Sequence, residues 1–143
     1  MRRAALAGCA AVLALAGCGG GGGMSAKDYR AKANAICNSI RSQRERLPPA
    51  SNLDQLKAVA RSTIAINTDA LRRFKALDPP DELKAPNSVI VARLNDTLQL
   101  QQKALNTDPR SKAMETINVS AGKARQALIA AAEQAKLPAC EQL

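Results

Sequence analysis

The sequence predicts an all-α domain folded as an up-down-up-down antiparallel four-helix bundle. Three observations predict it. Aromatic residues are nearly absent: Tyr29 and Phe74 are the only two, and there is no Trp. A core must then be built from Leu, Ile, Val, Met and Ala, which pack well between close helices and poorly in a sandwich that wants aromatic and β-branched residues. Apolar residues recur at spacings of three and four through four helix-length segments, with no strand-like alternation. The connections between segments are short, which makes sequential helices antiparallel. A chain of 143 residues suits one domain, here residues 25–143.

The first helix is expected over about Ser25 to Arg46. Ser25 is a good N-cap and Asp28 complements the first turn. Tyr29, Ala33, Ile36, Ile40 and Leu47 form its stripe, and Leu47-Pro48-Pro49 ends it. The second runs from about Leu53 to Leu77, capped by Ser51 or Asn52, with Leu53, Leu56, Ala60, Ile64, Leu71 and Phe74 as its face. Asp78-Pro79-Pro80-Asp81 breaks the chain again. The third covers about Asp81 to Leu105, and Pro86 should kink it or mark its true start. The fourth covers about Pro109 to Lys136, with Asp108 as N-cap and Gly122 as its weak point.

Composition excludes several chemistries. There is no histidine, so no His base, no Ser-His or Cys-His pair and no His-ligated zinc or haem. Asp78 and Asp81 flank prolines, where Asp serves capping and turns rather than a carboxylate pair. A non-enzymatic protein without a cofactor is the expectation. The 21 Lys and Arg against 12 Asp and Glu give a formal charge of +9. This excess favours anionic surfaces in general. The basic residues are dispersed and have no stacking aromatics among them, so nucleic acid is not expected as a partner.

The N-terminus carries the sharpest signal. Leu-Ala-Gly-Cys occurs twice, ending at Cys9 and at Cys18. Arg2 and Arg3 form a positive start, and Ala4 to Ala16 is uncharged, long enough for an export signal and too short for a membrane span. This segment resembles a bacterial lipoprotein signal, with residues 1–17 as signal peptide and Cys18 as the lipidated residue. In that family a diacylglycerol joins the cysteine thiol, the preceding bond is cut, and two or three acyl chains result. Only Ala4, Ala5 and Leu6 lie between the arginines and the first copy, too little apolar length to insert. Cys9 is therefore a small apolar residue of a discarded segment. Removal of Arg2 and Arg3 leaves 19 basic and 12 acidic residues, or +7. Gly19 to Gly23 reads as a tether over residues 18–24, spanning about 13 Å on average. Acyl chains at about 0.8 kcal/mol per buried CH₂ would hold the chain on the outer leaflet of the cell membrane. The rival reading starts the protein at Met24 and has no anchor.

Cys37 and Cys140 remain. An even pair in an exported chain favours a disulfide. Counted from the start of each helix, however, Cys37 lies about 15 Å along and Cys140 about 45 Å along. A bridge needs Cα atoms within about 7 Å. Pairing then demands a break near Gly122, a strong tilt or an offset; a free buried Cys37 and an intermolecular bridge are the alternatives.

YRAKANAIC at 29–37, LRRFKALDPPDEL at 71–83 and LPAC at 137–140 resemble small helical lipoproteins exported by high-GC Gram-positive bacteria. The resemblance implies a helical domain with one cysteine in the first helix and one near the C-terminus, and so implies pairing of Cys37 with Cys140. Such proteins have no proline at the position of Pro86. The resemblance implies no activity.

Two functional expectations follow. One is a membrane-anchored envelope module that binds envelope proteins or an anionic envelope polymer, with Arg41, Arg44, Arg72, Arg73 and Lys75 as the contact set. The other is a small-ligand carrier or sensor, with an interhelical cleft opened by Pro86 and lined by Thr63, Asn67 and Gln101.

Overall fold

The computed structural model describes residues 24–143; the signal segment, Cys18 and the glycines behind it lie outside the described residues. Every regular element among the described residues is helical: α1 (Ala26–Glu45), α2 (Leu53–Lys75), α3 (Asp81–Leu105), α4 (Lys112–Ala135) and the short α5 (Pro138–Glu141). Four long helices pack against one another as a helical bundle. The most extensive interface joins α3 and α4, followed by α2 with α3 and α1 with α2, while α5 touches both α4 and α1.

Local chemistry sets the helix ends. Ser25 and Asn52 cap α1 and α2 by accepting from the N–H groups of Asp28 and Gln55, at 3.1 and 2.9 Å. Before α4 the expectation fails. The Asp108 carboxylate accepts from the Arg110 N–H at 2.9 Å and holds a local turn around Pro109. Ser111 then becomes the cap, accepting from Met114 at 3.2 Å. An Asp side chain that closes its own turn is spent as a helix cap.

Pro86 neither starts nor interrupts α3. It is buried as the sixth residue of an uninterrupted helix. Its missing N–H deprives only the Glu82 carbonyl of a helical partner, and Glu82 lies on the exposed surface, within reach of water. Gly122 likewise does not break α4.

The core sits towards one end. It joins Tyr29, Ile36 and Ile40 of α1, Leu71 and Phe74 of α2, Leu83, Ile90 and Leu94 of α3, and Leu128 and several alanines of α4. No residue of α2 before Ile66, of α3 after Leu98 or of α4 before Ala124 is buried. Leu53 and Leu56, expected in the core, are 53% and 54% exposed. The cause lies in the first connection. Arg44, at the end of α1, bonds Asn67, midway along α2. From Asn67 back to Leu53 is about 21 Å of helix. Arg46 and Leu47 still turn with the end of α1, and the residues from Pro48 to Asn52, without helix, lead the chain on to Leu53, while the long Arg44 side chain makes up part of the reach to Asn67. Pro48-Pro49 keeps that connection out of helix. The first half of α2 therefore projects beyond α1.

Cys37 and Cys140 form a disulfide with Cα atoms 5.1 Å apart. The two cysteines cannot be compared from a common origin at the helix starts, because α4 is met by α1 at its end. Arg30 Nε donates to the Ala135 carbonyl at 2.9 Å, so the last turn of α4 lies beside the first turns of α1. Lys136 then adopts a left-handed conformation, φ 59°, and reverses the chain. Ala139 N–H donates to Asn34 Oδ1 at 3.0 Å, and Arg41 donates to Gln142. The tail thus returns along α1 and delivers Cys140 to Cys37. Neither a break at Gly122 nor an intermolecular bridge is needed.

Two stability predictions follow from this packing. A Cβ on Gly122 meets nothing within 4 Å. Gly122→Ala should stabilise the protein by about 0.5–1 kcal/mol, read as a higher urea midpoint at unchanged slope. The disulfide closes a loop with a sequence separation of 103. Cys37→Ala with Cys140→Ala should lose about 4 kcal/mol, and a loss below about 1 kcal/mol would show that the loop contributes little entropy to the unfolded chain.

Candidate binding cleft

The projecting half of α2 leaves a space between itself, the end of α3 and the start of α4. A cleft of about 730 Å³ opens there. Leu53, Leu56, Leu105, Met114 and the facing alanines Ala60 and Ala104 supply its apolar wall, with Lys57, Asn106, Thr107 and Asp108 also on it. The alanines matter most: two small side chains on neighbouring helices leave volume that Leu or Ile would fill. Pockets for small molecules begin at about 300 Å³.

Of the three residues expected to line an interhelical cleft, Thr63 and Gln101 do so. Asn67 is fully buried behind them. Pro86 has no part in it: Asn87 beside it bonds Tyr29, whose segment lies near the other end of α3.

The polar wall is ordered by one cation. Arg44 Nη2 donates to Asn67 Oδ1 at 2.8 Å, and Asn67 Nδ2 donates to Gln101 Oε1 at 3.0 Å. A guanidinium can only donate, so Asn67 must turn its oxygen to Arg44 and its NH₂ to Gln101. Gln101 in turn must offer its oxygen to Asn67, which leaves its NH₂ for the cleft. That NH₂ has no partner among the described residues and is not sealed off. The Thr63 hydroxyl donates to the Val59 carbonyl at 2.9 Å and has only acceptor capacity left. Arg44 itself has no carboxylate partner among the described residues, and its Nε is buried without an acceptor. Burial, and then the positive charge of Arg125, pull its pKa below the usual guanidinium range.

The five basic residues considered for an anionic surface do not come together. Met24 N–H donates to the Asp78 carbonyl at 3.1 Å, placing the end of α2 beside the start of α1. Arg72, Arg73 and Lys75 are near that end, whereas Arg41 and Arg44 lie about 25 Å further along α1. Arg72 and Arg73 share Asp69, at 2.5 and 3.8 Å. Arg41 bonds Asn38 at 2.8 Å and reaches Glu45 at 4.0 Å. Arg44 is turned inward, and Lys75 is exposed without an ion pair among the described residues. Cys18 lies outside the described residues. No described helix is long and apolar enough to cross a membrane. Comparison with family models, curated proteins and solved structures gave no match to this chain.

The sequence could have signalled the cleft. Leu53, Leu56 and Ala60 look like an ordinary core stripe, but Ala60 and Ala104 sit where larger residues occur elsewhere on the same faces. Only the helix offset shows that the two alanines share one space.

At the opposite end the Tyr29 hydroxyl donates to Asn87 Oδ1 at 3.0 Å inside the core, and burial pushes its pKa up to about 12. The unfolded phenol titrates near pH 10. Stability linked to Tyr29 is thus fully present below pH 10 and is lost as the pH rises to about 12. Tyr29→Phe should lower stability at neutral pH by about 1–2 kcal/mol, because Asn87 loses its donor. It should also flatten the fall between pH 10 and 12 in denaturant melts compared with the parent.

Proposed function

We propose that this protein is an exported, non-enzymatic binding module, lipid-anchored through Cys18 on the outer leaflet of the cell membrane, and that it binds through the cleft of α2, α3 and α4. The proposed frame is an up-down-up-down bundle. Alternating helix directions are supported by the links between Met24 and Asp78, Tyr29 and Asn87, Arg44 and Gln101 through Asn67, and Arg30 and Ala135. The observation that carries the binding reading is the open apolar cleft of about 730 Å³, with two largely exposed leucines on its wall. Exposing such surface costs stability, and contiguous apolar patches mark sites where something docks.

The cleft and the anchor belong to opposite ends. Met24, where the tether would arrive, lies beside the connection between α2 and α3, whereas the cleft opens at the connection between α3 and α4. The length of α3, about 37 Å, separates them. A protein held by Cys18 would therefore carry the cleft at the end far from its attachment point. The small-ligand reading fits this geometry better than binding to an anionic polymer, because the five candidate cations are divided between distant positions. A role for envelope proteins as partners rests on the same cleft.

Intact-mass measurement of the membrane fraction tests the anchor. The expected species lacks residues 1–17 and carries two or three acyl chains on Cys18, and Cys18→Ser should release the chain from the membrane. An unmodified soluble species beginning at Met24 would remove the anchor from this reading.

A further inference from the structure

We propose that the cleft takes a free medium-chain carboxylate amphiphile, its carboxylate on the Gln101 amide and its tail along Leu56, Leu105 and Met114. The proposal rests on the cleft being the binding site.

Polarity differs between the two ends of the cleft. Its mouth holds Lys57 and Asp108, charges of opposite sign that leave no net preference for an anion. Its inner end meets Gln101, whose free NH₂ is the terminal donor of a chain that begins at Arg44. Each amide dipole in that chain points its positive end towards the cleft. Arg44 brings a half-buried positive charge with no carboxylate partner among the described residues. A buried cation without a counter-ion is costly, and an anion at the end of its hydrogen-bond chain offsets that cost. Asn67 is fully buried, so the chain is held rigidly and the donor direction is fixed.

Between Gln101 and the mouth the wall is mostly apolar, supplied by Leu56, Ala60, Ala104, Leu105 and Met114, with Lys57, Asn106 and Thr107 as its polar interruptions towards the mouth. Along α2, from Thr63 at the inner end to Leu53 at the mouth, it runs about 15 Å. This length suits a medium alkyl chain and is too short for a long membrane acyl chain to be enclosed. That length makes the ligand a free amphiphile rather than a lipid still seated in the membrane.

The test uses the processed full chain in phosphatidylcholine nanodiscs, with empty discs as blank. Decanoate labelled with ¹³C at the carboxyl carbon and the neutral analogue decanol are the probes. Decanoate should bind saturably, one per chain, and about tenfold more tightly than decanol, as expected for a charge-assisted hydrogen bond. Gln101→Glu keeps the oxygen that accepts from Asn67 but replaces the donor with a carboxylate. It should weaken decanoate by about tenfold or more and leave decanol unchanged. Ala104→Phe fills the cleft and should abolish both; Ala60→Leu repeats that test from the opposite helix. Absence of saturable decanoate binding overturns the proposal, as does undiminished binding by Gln101→Glu or by both filled variants. Decanol bound as tightly as decanoate, and lost in the filled variants, would remove the carboxylate and leave the cleft as the binding site.

Discussion

The covalent tie between Cys37 and Cys140 is the constraint on which the rest of the structure depends. The core contains two aromatic rings and many alanines, so each buried residue removes little apolar surface from water. The first helix shows this most clearly. Its stripe from Tyr29 to Ile40 is fully covered only because the tail after Lys136 folds back over it. The side chain of Asn34 and the disulfide fasten that tail to α1, and the Ala135 carbonyl, accepting from Arg30, fastens the end of α4 beside it. Without them one face of α1 would lose its cover. A left-handed Lys136 is the local cost of the reversal.

Sealing one end has a consequence at the other. Once the start of α1 is fixed beside both Asp78 and Ala135, the twenty residues of α1 end at the level of Asn67. Helices α2, α3 and α4 are longer, at 23, 25 and 24 residues, and their surplus falls beyond α1. Three helices there have no fourth to cover them. Their facing residues are partly exposed leucines, Met114 and alanines instead of a closed core. The cleft is thus a product of helix length and of a Pro48-Pro49 connection without helix, rather than of a kink.

Much of this was legible in the chain itself. Period and punctuation give the four long helices, because capping and apolar spacing are local properties. Ser25, Asn52 and the two Pro-Pro pairs mark their ends by local chemistry alone. What escaped was relational. Asp108 looks like a cap, yet the competing turn to Arg110 decides the matter. Pro86 looks like a breaker, yet within the first two turns its lost bond falls on an exposed carbonyl segment. The disulfide looked out of reach because two helix starts were given one origin. Arg44 looked like one of several surface cations, whereas its partner Asn67 lies on a different helix and out of sight of any local pattern.

Arg44 also shows how a structural polar group can become a directional one. An asparagine and a glutamine in the middle of a helix interface are ordinarily neutral devices, each free to flip its amide. A guanidinium at one end of the pair removes that freedom, because it has no acceptor to offer. The orientation passes from Arg44 to Asn67 to Gln101 and emerges as a donor on the cleft. A Lys in place of Arg44 would carry the same charge on a flexible stem but would lose the planar fork. The chain therefore does two things with one set of atoms. It satisfies Asn67 in the interior, and it gives the inner end of a largely apolar cleft a donor of fixed direction.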